Sequence, residues 1–312
     1  MTDTATQVSR REAWLMAARP HTLPAAAAPV VVGTGLAVHE GVFAALPALA
    51  AFLGAALIQI GTNFANDYYD AVKGVDTDDR EGFTRVTQSG LIPPNEVKRA
   101  TYATFGLAVL VGVYLVAVGG LPILVVGLAS VVSGFAYAGG PFPLGSHGLG
   151  DLFVFVFFGL VAVMGTFYVQ AASLVAGVPL GIPPETVTWS AFLASLPVAA
   201  ISTNILVVNN VRDLETDREA GKKTLAVLVG YRASRAEYVG MTALAYVVPV
   251  YFWVSDAFGP TVLLPLLTLP YAAVVTRTML TERSGDALNP ALEQTGKLLA
   301  AHSALFALGM VA

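Results

Sequence analysis

Apolar residues run along this chain in long blocks, and polar residues collect at the ends of the blocks instead of alternating with them. A membrane-spanning helix needs about 20 mostly apolar residues. The pattern predicts nine such spans, near 22–38, 44–68, 97–118, 121–138, 150–175, 189–211, 236–256, 259–277 and 291–311. Many are rich in Ala and Gly, which lets helices approach closely inside a bilayer. Ahead of the first block, "SRREAWLMAARP" reads as an amphipathic interfacial helix, with Trp14 and Leu15 expected to face lipid. Residues 1–20 form this N-terminal segment, and the whole of 1–312 is expected to be one polytopic membrane domain.

Composition agrees with that pattern. The 312 residues are 55% hydrophobic and only 12% charged, where soluble domains carry about 25% charged residues. The fold class expected is therefore an all-α integral membrane protein. The first twenty residues contain acids, two adjacent arginines and no apolar core, which is not the make-up of a cleavable signal peptide. There are no cysteines, which rules out disulfides, thiol nucleophiles and cysteine-ligated metals.

The charges sit unevenly. All 17 Lys and Arg lie in the N-terminal tail, the even-numbered loops, or helix ends that touch them. The loops around His39–Gly41, Gly119–Leu121, Gly177–Thr188 and Asp256–Pro260 have none. The positive-inside rule puts the N-terminus and the even loops in the cytoplasm, and the C-terminus outside. The partners expected are the lipid bilayer and small molecules, with no nucleic acid.

Two acidic motifs interrupt the apolar pattern. "NFANDYYD" ends the second span and "NNVRDLETDREAGKKT" ends the sixth. If the helix continues, Asn63, Asn66, Asp67 and Asp70 share one face, and Gln59 extends that stripe into the membrane. Asn209, Asp213 and Asp217 are likewise spaced by four, with Asn210 nearby. Carboxylates crowded at a membrane boundary repel one another and are costly to desolvate. A hard divalent cation offsets this, and Mg²⁺ prefers oxygen ligands. Lys73, Arg80 and Arg85 follow the first motif; Arg218, Lys222 and Lys223 lie in the second. Acids to hold metal with bases beside them suit a Mg²⁺–diphosphate ligand. The plainer reading is a solvated, salt-bridged surface. Two asparagine-led clusters four spans apart instead favour a parallel pseudo-repeat with one metal motif per half.

"NDYYDAVKGVDTDDR", "RVTQSGLI", "NNVRDLETDREAGKKTLAVLVG" and "ARPHTLPAAAAPV" together resemble the UbiA superfamily of membrane prenyltransferases, and most closely its naphthoate branch. The resemblance covers nearly the whole chain and implies nine helices around a central cavity. It implies transfer of a polyprenyl group from an allylic polyprenyl diphosphate to 1,4-dihydroxy-2-naphthoate, with loss of CO₂ and diphosphate, in menaquinone biosynthesis. It assigns Asn66, Asp70, Asp213 and Asp217 to Mg²⁺, with Asp67 beside them as a further catalytic acid. The family's first motif usually ends in a third Asp where this chain has Gly74, leaving Asp76 as a displaced ligand or part of a lid. The hydroxybenzoate branch has a basic Tyr-Pro-x-x-Lys-Arg stretch where this chain has "YAGGPFPLGSHGLGD".

On that reading Lys73, Arg80, Arg85 and Lys222 meet the diphosphate, and Asn63, Tyr137, Asp151, Asn209 and Asn210 line the substrate pocket. Aromatic stabilisation of an allylic cation is expected from among Tyr68, Tyr69, Phe135, Tyr137, Phe153, Phe157 and Tyr168. Asp151 has two readings, helix cap or acceptor-orienting group. Glu293 and Lys297, four apart, are expected to pair. The alternatives are another acceptor, such as 4-hydroxybenzoate, homogentisate, a glycerol-phosphate lipid or a chlorophyllide, and, from a different class, a secondary transporter. A transporter would carry its acids near the bilayer midplane.

Overall fold

A computed structural model describes residues 8–73, 86–138 and 144–312, with the backbone alone described at Asp70, Lys73 and 134–138. The described residues form helices and no strands. Arg10–Ala18 (α1) is short, Leu23–His39 (α2) and Ala45–Lys73 (α3) follow, and Pro94–Ala138 (α4) is broken at Gly120. Gly150–Phe153 (α5) passes through a π-helical stretch, Val154–Val161, into Ala162–Ala172 (α6). Trp189–Arg212 (α7), Leu214–Glu219 (α8) and Leu225–Val254 (α9) come next. A 3₁₀ segment, Pro260–Thr268, leads into Leu269–Thr281 (α10), and Gly285–Val311 (α11) ends the chain.

Among the described residues, seven stretches are long and apolar enough to cross a membrane. One of them, Pro94–Ser133, would measure about 60 Å as a straight helix, twice the hydrocarbon thickness. It turns back at Gly120 (φ 69, ψ −157), where Leu121 N donates to Pro179 O at 2.9 Å. A Cβ at Gly120 would meet that carbonyl oxygen at 1.8 Å, so only glycine fits both the φ and the approach. The two halves of α4 are the expected third and fourth spans. α11 is long enough at 27 residues but carries Asp286, Glu293 and Lys297 in its first half. Among the described residues, counting α4 as two halves and adding α11 gives nine helical traverses, the number expected, with ends shifted by a few residues.

The core lies where α2, α6, α7, α9 and α11 meet, around Val32, Leu36, Phe167, Val198, Ile201, Phe252 and Phe306. α7 is the central helix: most of it is buried, whereas α4 faces outward along much of its length. Buried polar ties fix the packing. Asn204 Nδ2 donates to Tyr238 O and Thr242 Oγ1, binding α7 to α9. Tyr238 Oη and Thr295 Oγ1 are 3.2 Å apart between α9 and α11. Inside a bilayer such ties matter, because lipid competes for apolar contacts on equal terms.

Two sequence expectations change here. Trp14 does not face lipid: its ring meets Phe64 of α3 edge-on at 5.6 Å, while Leu15 stays half exposed. Small, fully buried Ala13 and Ala17 let α1 lie close against the protein and turn the indole inward. Tyr168 does not face an allylic cation. Its hydroxyl donates to Gly119 O at 2.8 Å beside the Gly120 break, one membrane thickness from the acidic motifs.

Candidate functional site

The first motif is helical as far as Lys73, so Asn63, Asn66, Asp67 and Asp70 do lie along one side of α3. The stripe divides by depth. Gln59 Nε2 donates to Thr22 Oγ1, and Asn63 Nδ2 donates to Ala18 O at 2.9 Å and Thr22 Oγ1 at 2.8 Å. These two amides fasten the α1–α2 corner to α3. Asn66 is exposed one turn further on. Asp67 is 1% exposed, and one carboxylate oxygen accepts both the backbone N–H of Thr87, at 3.0 Å, and its hydroxyl. Arg80, Arg85 and Asp76 lie outside the described residues, as does the side chain of Tyr137.

Thr87 belongs to "RVTQSGLI", and sequence reasoning gave it no role. It brings the chain back against α3 and gives the buried Asp67 carboxylate two donors. Thr87→Val should destabilise the protein by about 2–3 kcal/mol, because it leaves a buried charge short of a hydrogen bond. Thr87→Ser should be nearly neutral. Thermal unfolding in detergent checks both, and equal melting temperatures for Val and Ser variants would refute the pairing.

The second motif keeps its helical spacing across the junction of α7 and α8. Asp213 N donates to Asn209 O at 3.0 Å and Asp217 N to Asp213 O at 2.8 Å, so the three residues follow one another by single turns. Arg212 is the hub that sequence reasoning missed. Its Nε and Nη2 donate to the two oxygens of Asp213, both at 2.7 Å. It also reaches Asn209 Oδ1 at 2.9 Å and Asn289 Oδ1 of α11 at 2.8 Å. A planar guanidinium can serve all of these at once. Asp217 is 6% exposed and is paired with Lys222 Nζ at 2.7 Å. Asn210 is buried on the neighbouring face, and Asn209 is half-buried.

The two motifs lie at the same end of the helices, linked through α11. Asn289, held by Arg212, sits one turn before Glu293, which pairs with Lys297 at 2.7 Å as expected from their spacing. Glu293 and His21 are electrostatic neighbours, and Thr22, next to His21, receives Gln59 and Asn63. Hydrogen bonds and charges therefore run from the second motif across α11 and the α1–α2 corner to the first.

Asp151 joins this end through its loop, where Lys223 N donates to Ser146 O at 2.9 Å. The N-cap of α5 is Leu149 with no side-chain cap, so the capping reading of Asp151 is not the one adopted. Asp151 is 5% exposed, and its Oδ2 has no hydrogen-bond partner among the described residues. Its electrostatic neighbour is Glu237, a half-buried acid on α9. Glu237 is a second residue that sequence reasoning missed; the available signal was an acid at the edge of an apolar run. Phe153 and Phe157, two and six residues beyond Asp151, stack at 5.6 Å.

The oxygen-rich donor set suits a hard cation in kind, with no thiolate and no imidazole among Asn66, Asp213 and Asp217. Among the described residues no three carboxylates or imidazoles cluster closely enough to cage an ion alone. The arrangement offers two oxygen-bearing helix ends, held from behind by Arg212 and Thr87, and bases within reach of an anion.

The sequence profile of the UbiA prenyltransferase family matches residues 26–300. A 1,4-dihydroxy-2-naphthoate octaprenyltransferase of Escherichia coli is 38% identical over 98% of this chain and 97% of its own length. A protein of the same name from Mycobacterium tuberculosis is 37% identical over 91% of both chains. Among solved structures, a UbiA homologue from Aeropyrum pernix superposes with a TM-score of 0.66 at 15% identity, covering 90% of this chain and 96% of that one. A homologue from Archaeoglobus fulgidus bound to GPP and Mg²⁺ gives 0.58 at 17%, covering 94% and 99%. With two acidic helix ends gathered on one face of a multi-pass membrane bundle, and with relatives spanning its length, the chain belongs to the UbiA prenyltransferase family.

Proposed function

We propose that this prenyltransferase moves the polyprenyl group of an allylic polyprenyl diphosphate onto 1,4-dihydroxy-2-naphthoate and makes demethylmenaquinol for menaquinone biosynthesis. The observation that carries the acceptor assignment is the similarity, over 81–98% of this chain, to relatives named for that acceptor, at 31–38% identity. The likeness to solved structures supports the fold alone. In this reading residues 1–312 are one domain, with the N-terminus and both acidic motifs in the cytoplasm, as the placement of Lys and Arg supports.

The residues suited to hold Mg²⁺ are Asn66, Asp70, Asp213 and Asp217, all oxygen donors. Bound there, Mg²⁺ would supply positive charge to the diphosphate as it leaves. Arg212 holds Asp213 in orientation, and Lys222, whose side chain is half exposed, can move from Asp217 toward an incoming phosphate. Lys73, Arg80 and Arg85 follow the first motif in sequence and are the further bases proposed for the diphosphate. Asp67 acts at one remove: through Thr87 it fixes the segment that covers the end of α3.

In the reaction the allylic C–O bond breaks and its electron pair leaves with diphosphate. A ring carbon of the dihydroxynaphthoate forms the new C–C bond and the carboxylate leaves as CO₂; any proton lost from the prenylated carbon is matched by one taken up where CO₂ departs. Asp151 has a buried oxygen free to accept from an acceptor hydroxyl, which would make the ring more electron-rich, and Glu237 stands beside it. Stacked Phe153 and Phe157 offer apolar faces for the cationic carbon. Asn63, Asn209, Asn210 and Tyr137 complete the proposed pocket.

The test is mass spectrometry of product from detergent-purified protein given a panel of acceptors and polyprenyl diphosphates, with and without Mg²⁺. Prenylated, decarboxylated naphthoate with release of pyrophosphate is expected, and chelation with EDTA should stop it. Turnover of 4-hydroxybenzoate in preference to the naphthoate would overturn the acceptor assignment. Full activity in EDTA would overturn the metal.

A further inference from the structure

A second charged feature lies outside this site, on the opposite side of α9. Tyr231, Arg232, Arg235, Val239, Leu280 and Arg283 line a groove of about 510 Å³ between α9 and the end of α10. Its mouth is cationic. Arg283 lies over the Tyr231 ring at 4.5 Å and Arg235 lies 5.8 Å from the same ring. Arg235 also donates to Met279 O at 3.0 Å and Glu282 O at 2.7 Å, capping the last carbonyls of α10. These contacts hold two guanidinium groups in place before anything binds, which lowers the entropy lost on binding. Arg232 is exposed at the rim. The nearby acids are engaged: Glu215 with Arg218 and Tyr231, and Glu282 with the Thr281 hydroxyl.

Below the mouth the seam becomes apolar. A second hollow, of about 380 Å³, continues along the same two helices past Leu280, Thr276, Ala273 and Leu269, with Thr242 on the α9 side and Arg277 at the edge. From Thr281 to Leu269 the trough runs about 18 Å along α10, close to the depth of one leaflet of a hydrocarbon core about 30 Å thick. Val239, Leu269 and Leu280 are each about two-fifths exposed along it. Because α9 begins and α10 ends at the face that carries the second acidic motif, the three arginines stand at one membrane boundary and the trough points into the bilayer.

We propose that this seam binds one anionic glycerophospholipid of the surrounding bilayer, its phosphate on Arg232, Arg235 and Arg283 and an acyl chain in the trough. The charge complementarity selects a phosphate-bearing headgroup, and the apolar trough beneath selects a ligand with a long chain over a free anion. The prenyl donor is a poorer match, because Asp151 meets α9 at Glu237, an acid that does not line this seam.

The experiment uses the full chain. Native mass spectrometry counts lipid carried through purification, and thermal unfolding of delipidated protein follows addition of phosphatidylglycerol, phosphatidylcholine, inorganic phosphate or a polyprenyl diphosphate. One retained anionic phospholipid is expected, with a melting temperature raised by phosphatidylglycerol and not by phosphatidylcholine or inorganic phosphate. The double variant R232Q/R283Q should weaken phosphatidylglycerol binding about 30-fold, from about 1 kcal/mol per lost cation. Leu280→Trp fills the trough and leaves the arginines, so it should lose the lipid without losing surface charge. Should the double variant misfold, Leu280→Trp carries the test alone. Equal stabilisation by phosphatidylcholine or inorganic phosphate, unchanged affinity in Leu280→Trp, or displacement of the phospholipid by equimolar polyprenyl diphosphate would each overturn the proposal.

Discussion

Asp213→Asn should lower kcat by about 10²–10³-fold, the range seen when one electrostatic contact to a developing charge is removed. The substitution keeps the shape of the side chain and deletes its charge. Asp213 sits where α7 passes into α8, a half-buried residue gripped at both oxygens by Arg212. Arg212 retains Asn209 and Asn289 as partners in the variant, so α7 stays tied to α11 and the melting temperature should hold nearly constant. What is lost is negative charge facing the proposed cation, and the Mg²⁺ concentration giving half-maximal rate should rise with the fall in kcat. Turnover close to wild type, or an unchanged Mg²⁺ requirement, would take Asp213 out of the proposed metal set. A fall in kcat accompanied by unfolding would mean instead that the Arg212 contact is structural.

The sequence was most legible where one physical constraint dominates. Hydrocarbon thickness fixes span length, so nine traverses could be counted, and the Gly119–Gly120 pair marked the break in α4 that separates two of them. Helical spacing also carried the second motif correctly through Asn209, Asp213 and Asp217. The first motif was harder. Gln59, Asn63 and Asp67 follow the same period as Asn66 and Asp70, but they are spent on Thr22, Ala18 and Thr87. Periodicity says which side of a helix a polar group occupies. It does not say whether another part of the chain already lies there, and Thr87 is 20 residues away. Arg212 was overlooked for a related reason: its partner Asn289 is 77 residues distant, and beside the acids and asparagines of its motif it reads as local charge balance. Trp14 and Tyr168 were misplaced because an aromatic residue near a membrane interface suits lipid, core or site equally well by composition.

Gly159→Leu should abolish folding, and the milder Gly159→Ala should disturb the site from a distance. Gly159 is buried in the π-helical stretch Val154–Val161, where that stretch packs on α7. A Cβ built there would lie 2.1 Å from Ala199 Cβ, 2.3 Å from Ala199 Cα and 2.8 Å from its nitrogen. Two of those atoms are backbone, so no rotamer change relieves the clash and the helices must separate. In a bilayer the loss is not regained by burying the larger side chain, because lipid solvates leucine as well as the core does. Purified Gly159→Leu should therefore run as aggregate on size exclusion, with little protein at the position of the wild type. The alanine variant needs a shift of about 1 Å, and the helix that shifts begins at Asp151 while α7 ends at Asn209 and Asp213. Moving these ends apart should raise KM for the naphthoate by about tenfold and more than for the prenyl diphosphate, whose proposed metal set also includes Asn66 and Asp70 on α3. Ala199→Gly removes one of the three clashing atoms and should recover part of that loss when combined with Gly159→Ala. A Gly159→Leu protein that folds and melts like wild type would show that the seam between the π stretch and α7 is looser than these distances require. Equal losses for both substrates in Gly159→Ala would separate Asp151 from acceptor binding.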